Sequence, residues 1–191
     1  MSFNISTFST HINNSGTLQN NRFECNIPVP PAIQGQNFIL PIDQLLMFRA
    51  EHIVVPGVSL ESVDNHTAGV GVTTMFPTNV RFNKTRITFL ENKTNDVLKF
   101  FYLWTSATFD YTGDTNNSPG LPTYTTQYRN LLAVDIGVSI FNNKSDIISK
   151  IVMVGAIPTA IDDYSLDWGD TNKNLRITVE FSFKHWHMNS Q

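Results

Sequence analysis

Leu175-Arg-Ile-Thr-Val-Glu-Phe-Ser-Phe-Lys184 alternates without a break: Leu175, Ile177, Val179, Phe181 and Phe183 against Arg176, Thr178, Glu180, Ser182 and Lys184. A two-residue period is that of a strand, whose successive side chains point to opposite faces. One face is therefore buried and the other wet. The same beat occurs upstream, where Val134, Ile136, Val138 and Ile140 alternate with Asp135, Gly137 and Ser139. Between them, Asp146–Gly155 is apolar on both faces (Ile147, Ile148, Ile151, Val152, Met153, Val154), which predicts a strand buried on both sides. Met47–Val55, stopped by the turn pair Pro56-Gly57, and Arg81–Glu91, with Ile87 and Phe89 against Arg86 and Thr88, read as further strands. The fold expected is mainly β, an antiparallel β-sandwich or barrel.

One convincing helix interrupts the strands, at about 96–107. Val97, Phe100, Phe101 and Trp104 recur at i, i+3, i+4 and i+7, a single helical face and the expected core face. Thr94 or Asn95 is placed to cap it, and Asp96 meets the positive end of its dipole. The rest reads as connection. Residues 1–21 form a polar arm with scattered Phe3, Ile5 and Phe8. Pro28, Pro30, Pro31 and Pro41 predict a loop over 28–47. Residues 57–79 predict a long β-hairpin or extended loop, with strand fragments Ser59–Val63 and Val70–Met75 flanking Asp64-Asn65-His66. Residues 110–126, with Gly113, Pro119-Gly120 and Pro122, form a loop insertion. The expectation is a single domain over 1–191.

Composition narrows the function. Of 191 residues, 41% are hydrophobic and 12% aromatic, which excludes disorder and supports a substantial core. Only 15% are charged, and the net charge is -3. Weakly charged surfaces repel one another little, which suits a subunit that touches copies of itself. The basic residues are dispersed (Lys84 with Arg86, Lys173 with Arg176), so no face is built to neutralise phosphates. A lone cysteine, Cys25, excludes an internal disulfide and reads as a small buried hydrophobe. No stretch reaches the roughly 18 apolar residues of a membrane span. Met1-Ser-Phe-Asn-Ile-Ser lacks the basic and apolar regions of a signal peptide, so the chain is expected to stay where it is made.

Catalytic signals are sparse. Gly69-Val70-Gly71 lacks a third glycine and a following helix, and no nucleophile elbow or P-loop occurs. Asp162, Asp163, Asp167 and Asp170 fit no calcium loop and read as a turn before a strand. His185 and His187 share one strand face, as two zinc ligands do, but a third ligand is not evident; imidazoles flanking Trp186 at a strand end are the plainer reading. The helix carries only Lys99 on its polar side, against a membrane-surface role. No catalytic residue, metal site or cofactor is expected.

Read in order, the segments resemble a family. Phe48-Arg-Ala-Glu-His-Ile-Val-Val-Pro-Gly-Val-Ser-Leu-Glu-Ser-Val63 resembles the strand, Pro-Gly turn and hairpin of contractile-phage (myovirus-type) tail tube proteins, which are related to type VI secretion tube and baseplate tube-initiator proteins. A strand and an aromatic helix follow in that family, as Ile87–Leu90 and Val97–Trp104 do here. Ala156-Ile-Pro-Thr-Ala-Ile-Asp-Asp-Tyr-Ser-Leu-Asp-Trp168 and the closing strand Leu175–Trp186 continue the match. The arm and the 28–47 and 110–126 loops are longer than the family pattern.

The resemblance implies a structural virion protein whose hexameric rings stack into a tail tube, its inner wall a continuous β-barrel through which DNA passes without specific binding. Partners would be further copies of the chain, the tail sheath, the baseplate and the tail terminator, in a virion made in the host cytoplasm, with no membrane. On this view Ser59, Leu60, Glu61, Ser62, Val63, Val70, Val72, Thr73 and Thr74 form an inter-subunit hairpin, and Asp135, Gly137 and Ser139 face the lumen. Two alternatives stay open: a tube-initiator of the baseplate, and a β-sandwich carbohydrate-binding module using Trp168 and Trp186.

Overall fold

The computed structural model describes residues 5–6, 9–10, 16, 18–36, 38, 41–65, 74–110, 125–169 and 173–190. In chain order the elements are β1 (Phe23–Asn26), a 3-10 turn (Pro31–Ile33), α1 (Ile42–Arg49), β2 (Ala50–Ile53), β3 (Val58–Asn65), β4 (Thr74–Phe82) and β5 (Thr85–Leu90). Then come α2 (Asp96–Thr108), the short pair β6 (Phe109–Asp110) and β7 (Thr125–Thr126), α3 (Arg129–Leu132), β8 (Val134–Phe141), β9 (Ile147–Ile161), β10 (Arg176–Ser182) and β11 (His185–Ser190).

A seven-stranded antiparallel sheet carries the architecture, in the order β1-β8-β9-β10-β5-β2 with β11 also on β9. β9 serves two sheets in turn. Its first part lies between β8 and β11, and its last part pairs with β10. The change of partner falls at Gly155, whose φ of +64° is a left-handed conformation that only glycine adopts without strain. Asp135 Oδ1 accepts the Gly155 N–H at 2.8 Å, and the Gly155 carbonyl accepts from Arg129 Nη2 at 2.9 Å. This corner folds the strands into an inner sheet (β1, β8, β9, β11) and an outer sheet (β9, β10, β5, β2). The barrel stays open: β1 and β2 end the strand path without pairing to each other, beside a cleft of about 560 Å³ lined by Phe23, Ile53, Val55, Val138 and Ile140.

Helix α2 lies on the sheets with Val97, Phe100, Phe101 and Trp104 fully buried. Its aromatics mesh with the strands: Phe89 to Phe101 at 5.0 Å, Phe101 to Phe181 at 5.9 Å and Trp104 to Phe181 at 6.0 Å between ring centroids. Trp104 Nε1 donates to the Leu132 carbonyl at 2.9 Å, tying α3 to the same core.

The helix start differs from the expectation. Asn95 sits in the left-handed region at φ 58° and gives no side-chain cap. Glu91, the last residue before the turn, caps instead, its carboxylate accepting from Val97 N–H at 3.2 Å and Leu98 N–H at 2.8 Å. Asn92 and Asp96 brace the turn, the Asp96 carboxylate accepting from Asn92 Nδ2 and Thr94 Oγ1. Replacing Glu91 by alanine strips two helix N–H groups of their acceptor, and should lower stability by about 1–2 kcal/mol. Urea unfolding of Glu91→Ala against Glu91→Gln checks it, the glutamine variant keeping the larger part.

Four other expectations are corrected. The 28–47 segment is not all loop: Pro31 opens the 3-10 turn, and α1 begins right after Pro41, burying Ile42, Leu45 and Leu46 at i, i+3 and i+4. The strand placed over Met47–Val55 is therefore helix to Arg49 and strand from Ala50 to Ile53. Arg81–Glu91 is two strands, broken at Asn83-Lys84, where Asn83 N–H returns to the Gly57 carbonyl. The Asp146–Gly155 strand is not buried on both sides: at its start Ile147 and Ile148, on opposite faces, are both exposed, and further on only the face of Ile151 and Met153 is fully buried.

Candidate assembly surfaces

Strands β3 and β4 form a two-stranded sheet that shares no strand with the rest. Eight and nine residues at roughly 3.3 Å each give a reach of about 25–30 Å. The pairing sorts its base into two faces: Val58, Leu60, Val80 and Phe82 on one, Ser59, Glu61, Asn79 and Arg81 on the other. The polar face is closed by Glu61 with Arg81 at 3.8 Å. The apolar side of the base is bare, with Leu60 61% and Val80 56% exposed; further out Val63 pairs with Phe76 on one face and Met75 with Asp64 on the other, all exposed. A lone hairpin is marginal in water, and apolar residues grouped on it mark a surface made to be covered. Of the expected hairpin residues, Ser59, Leu60, Glu61, Ser62 and Val63 lie in β3. Thr74 opens β4, and Val70, Val72 and Thr73 fall outside the described residues.

The inner sheet is the second surface. Its registers place side chains in rows across four strands. Glu24, Ser139, Lys150 and Asn189 form one row, and Asn26, Gly137, Val152 and His187 the next, both on the outward face. Cys25, Val138, Ile151 and Met188 form the row between them on the core face. Gly137 and Ser139 thus share the outward face with exposed Lys150. A Cβ at Gly137 would lie 3.4 Å from the Lys150 side chain, so that aliphatic stem covers the glycine. Asp135 is exposed, yet one carboxylate oxygen is taken by the Gly155 amide, so it is also a corner brace.

On the outer sheet, Glu180 receives Lys84 at 2.7 Å and Arg86 at 3.3 Å, and Glu51 receives Arg176. The Lys84 hydrogen bond, with lesser help from Arg86 and Thr159, holds Glu180 below the usual carboxylate range. Arg176 does the same for Glu51. Such pairs act above the ordinary carboxylate pKa and are lost as pH falls through the depressed value.

Among the described residues the chemistry-bearing side chains are not drawn together, and Asp170 falls outside them. His185 and His187 stand exposed on the outward face of β11 with ring centroids 6.3 Å apart. Asp167 Oδ1 accepts the Gly169 N–H at 2.8 Å, a local turn. Among the described residues no group of three or more His, Cys, Asp or Glu is arranged to hold a metal ion. Burial, with a smaller push from Glu24, raises the Cys25 thiol to about 12, so it stays protonated. Trp168 is wholly exposed in the loop after β9, whereas Trp186 lies half-buried on β11 with its indole N–H unpaired.

The chain as a whole matches one class of protein. Residues 18–189 match the phage tail tube protein family, and the chain belongs to it. No curated protein matches the sequence. A chain of the anti-feeding prophage baseplate is 15% identical, with 92% of this chain and 97% of that one covered and a TM-score of 0.59. A chain from the extended sheath-tube complex of an extracellular contractile injection system (PVC) is 14% identical, with 96% and 98% covered and a TM-score of 0.58. One from the tube-terminating cap of the anti-feeding prophage is 12% identical, with 92% and 93% covered and a TM-score of 0.62. At these identities the likeness is one of fold. The chain is a structural tail-tube protein.

Proposed function

We propose that this chain is the repeating subunit of a phage tail tube, forming six-membered rings that stack into a conduit for DNA. The observation that carries the proposal is the bare apolar side of the β3–β4 hairpin, long enough to leave its own subunit and bury itself on another copy. The outward face of the inner sheet, with Gly137, Ser139 and Asp135, lines the lumen. Gly137 and Ser139 leave room there beside the longer Glu24 and Lys150, and a net charge of -3 without a basic patch leaves DNA unbound as it passes. Sheath, baseplate and terminator are its partners in the virion, and its role is architectural with no reaction.

Electron microscopy of the purified full-length protein tests this: hollow tubes of indefinite length are expected. A second reading has its own support, because similar chains come from a baseplate and a cap as well as from a tube. A tube-initiator would stop at single rings, and a persistent monomer would overturn both readings.

A further inference from the structure

The inner sheet has two outer strands, and their directions are fixed by the pairings within one chain. β1 is antiparallel to β8, β8 to β9, and β9 to β11. Four alternating strands leave β1 and β11 pointing in opposite senses. When a rotation about a ring axis brings β1 of one copy beside β11 of the next, the seam is therefore antiparallel, like every pairing inside the sheet. Each outer strand pairs on one side only among the described strands, leaving a row of N–H and C=O groups to be satisfied.

The side chains restrict the register. Glu24 and Asn26 lie on the outward face of β1 and Phe23 and Cys25 on the core face; on β11 the outward residues are His185, His187 and Asn189, and the core-face ones Trp186 and Met188. Only even staggers keep the two faces continuous across a seam. A closed barrel also requires the hydrogen-bond rows to be staggered, which disfavours the unshifted row joining Glu24 to Asn189. Shifting by two residues one way leaves only Cys25 and Asn26 opposite described residues of β11, with Asn26 beside Asn189. Shifting by two the other way keeps all four β1 residues on His185–Met188. Glu24 then faces His187, Asn26 faces His185, Phe23 faces Met188 and Cys25 faces Trp186.

This last register also matches the chemistry. Met188 is 57% exposed in the single chain, and Phe23 would cover it. Glu24, which meets no basic side chain on its own row nearer than Lys150 two strands away, gains an imidazole N–H donor. From this we infer that the subunits of a ring are joined by an antiparallel β1–β11 seam in which Glu24 of one copy meets His187 of the next. The inference rests on the ring proposed above and adds its strands, direction, register and contact.

Cysteine pairing tests it, since directly opposed residues across an antiparallel pair lie about 4.5–5.5 Å apart at Cβ, close to disulfide range. Assembled Glu24→Cys/His187→Cys protein, oxidised and run without reductant, should give a ladder of covalent oligomers up to the ring number. Buried Cys25 stays silent in single-variant controls. A ladder from Glu24→Cys/Asn189→Cys instead, or rings by microscopy with no ladder from either pair, would overturn the seam while sparing the ring. Absence of rings from the unmodified protein would overturn both. A charge exchange reads the contact independently of the added cysteines. Glu24→Lys should cut assembly at least tenfold in critical concentration, and adding His187→Glu should restore most of it. Failure of that rescue, with both variants folded, would overturn the contact.

Discussion

Trp104→Ala is expected to remove most of the stability of the fold. The indole is fully buried, stacked within 6.4 Å of Phe101 and edge-on to Phe100 at 5.6 Å, with Phe181 beneath. Truncating a buried aromatic of this size costs about 3–5 kcal/mol through lost transfer energy and the cavity that remains. It also leaves the Leu132 carbonyl without its donor, a further cost of about 1 kcal/mol. Against a total of about 5–15 kcal/mol for a natural domain, the variant is left barely folded. For a chain of this length the melting point should fall by roughly 10–15 °C. Trp104→Phe separates the two contributions: it keeps most of the ring packing, loses the hydrogen bond and should recover more than half of the loss. Thermal and urea unfolding of the two variants decide it, and a Trp104→Ala loss below about 1 kcal/mol would contradict the central place given to α2.

What the sequence disclosed follows from how each element is stabilised. The β8 and β10 strands were legible because each buries one face, so Ile136, Val138, Ile177, Val179 and Phe181 impose a two-residue period. Burial on one stripe of a helix gave the α2 periodicity in the same way. Helix α1 was hidden because four prolines dominate its neighbourhood, although Pro41 lies before the first helical residue and costs no interior hydrogen bond. Glu91 carries no capping signature in the sequence because it reaches the helix N–H groups from just past the end of β5, outside the usual cap positions. The apolar pattern of β9 is a poor guide to its burial. Ile147 and Ile148 read as core yet are exposed, because an apolar run carries no period that tells a buried strand end from an exposed one. The hairpin signal was real but displaced. Its second strand continues to Phe82, and Arg81 belongs to the hairpin, not to the following core strand.

The hairpin is where the second large effect is expected. Ser59 and Arg81 are paired residues, with Ser59 Oγ donating to the Arg81 carbonyl at 3.3 Å. Replacing Leu60–Val80 by Asn-Gly closes the two strands at that pair with a turn suited to their twist. The base survives, because Gly57 keeps the Asn83 N–H and Phe82 keeps its contact with Phe183 at 6.4 Å between centroids. Since β3 and β4 share no strand with the main sheet, the melting point of the shortened monomer should move by no more than about 3 °C, equivalent to about 1 kcal/mol. Assembly should change far more. Burying a side chain such as Leu60, Val63, Met75, Phe76 or Val80 is worth about 1.5–3 kcal/mol each, so the deletion forfeits of order 10 kcal/mol of apolar contact per copy. If ordering and desolvation offset half of that, the association constant still falls by roughly a thousandfold or more. Sedimentation should then show a folded monomer at concentrations where the full chain forms tubes. Leu60→Lys and Val80→Lys, which keep the hairpin and charge its apolar face, should weaken assembly in the same direction but less. Tubes of ordinary length from the shortened chain would show that the hairpin is ornamental and that rings are held and stacked by the sheet edges alone.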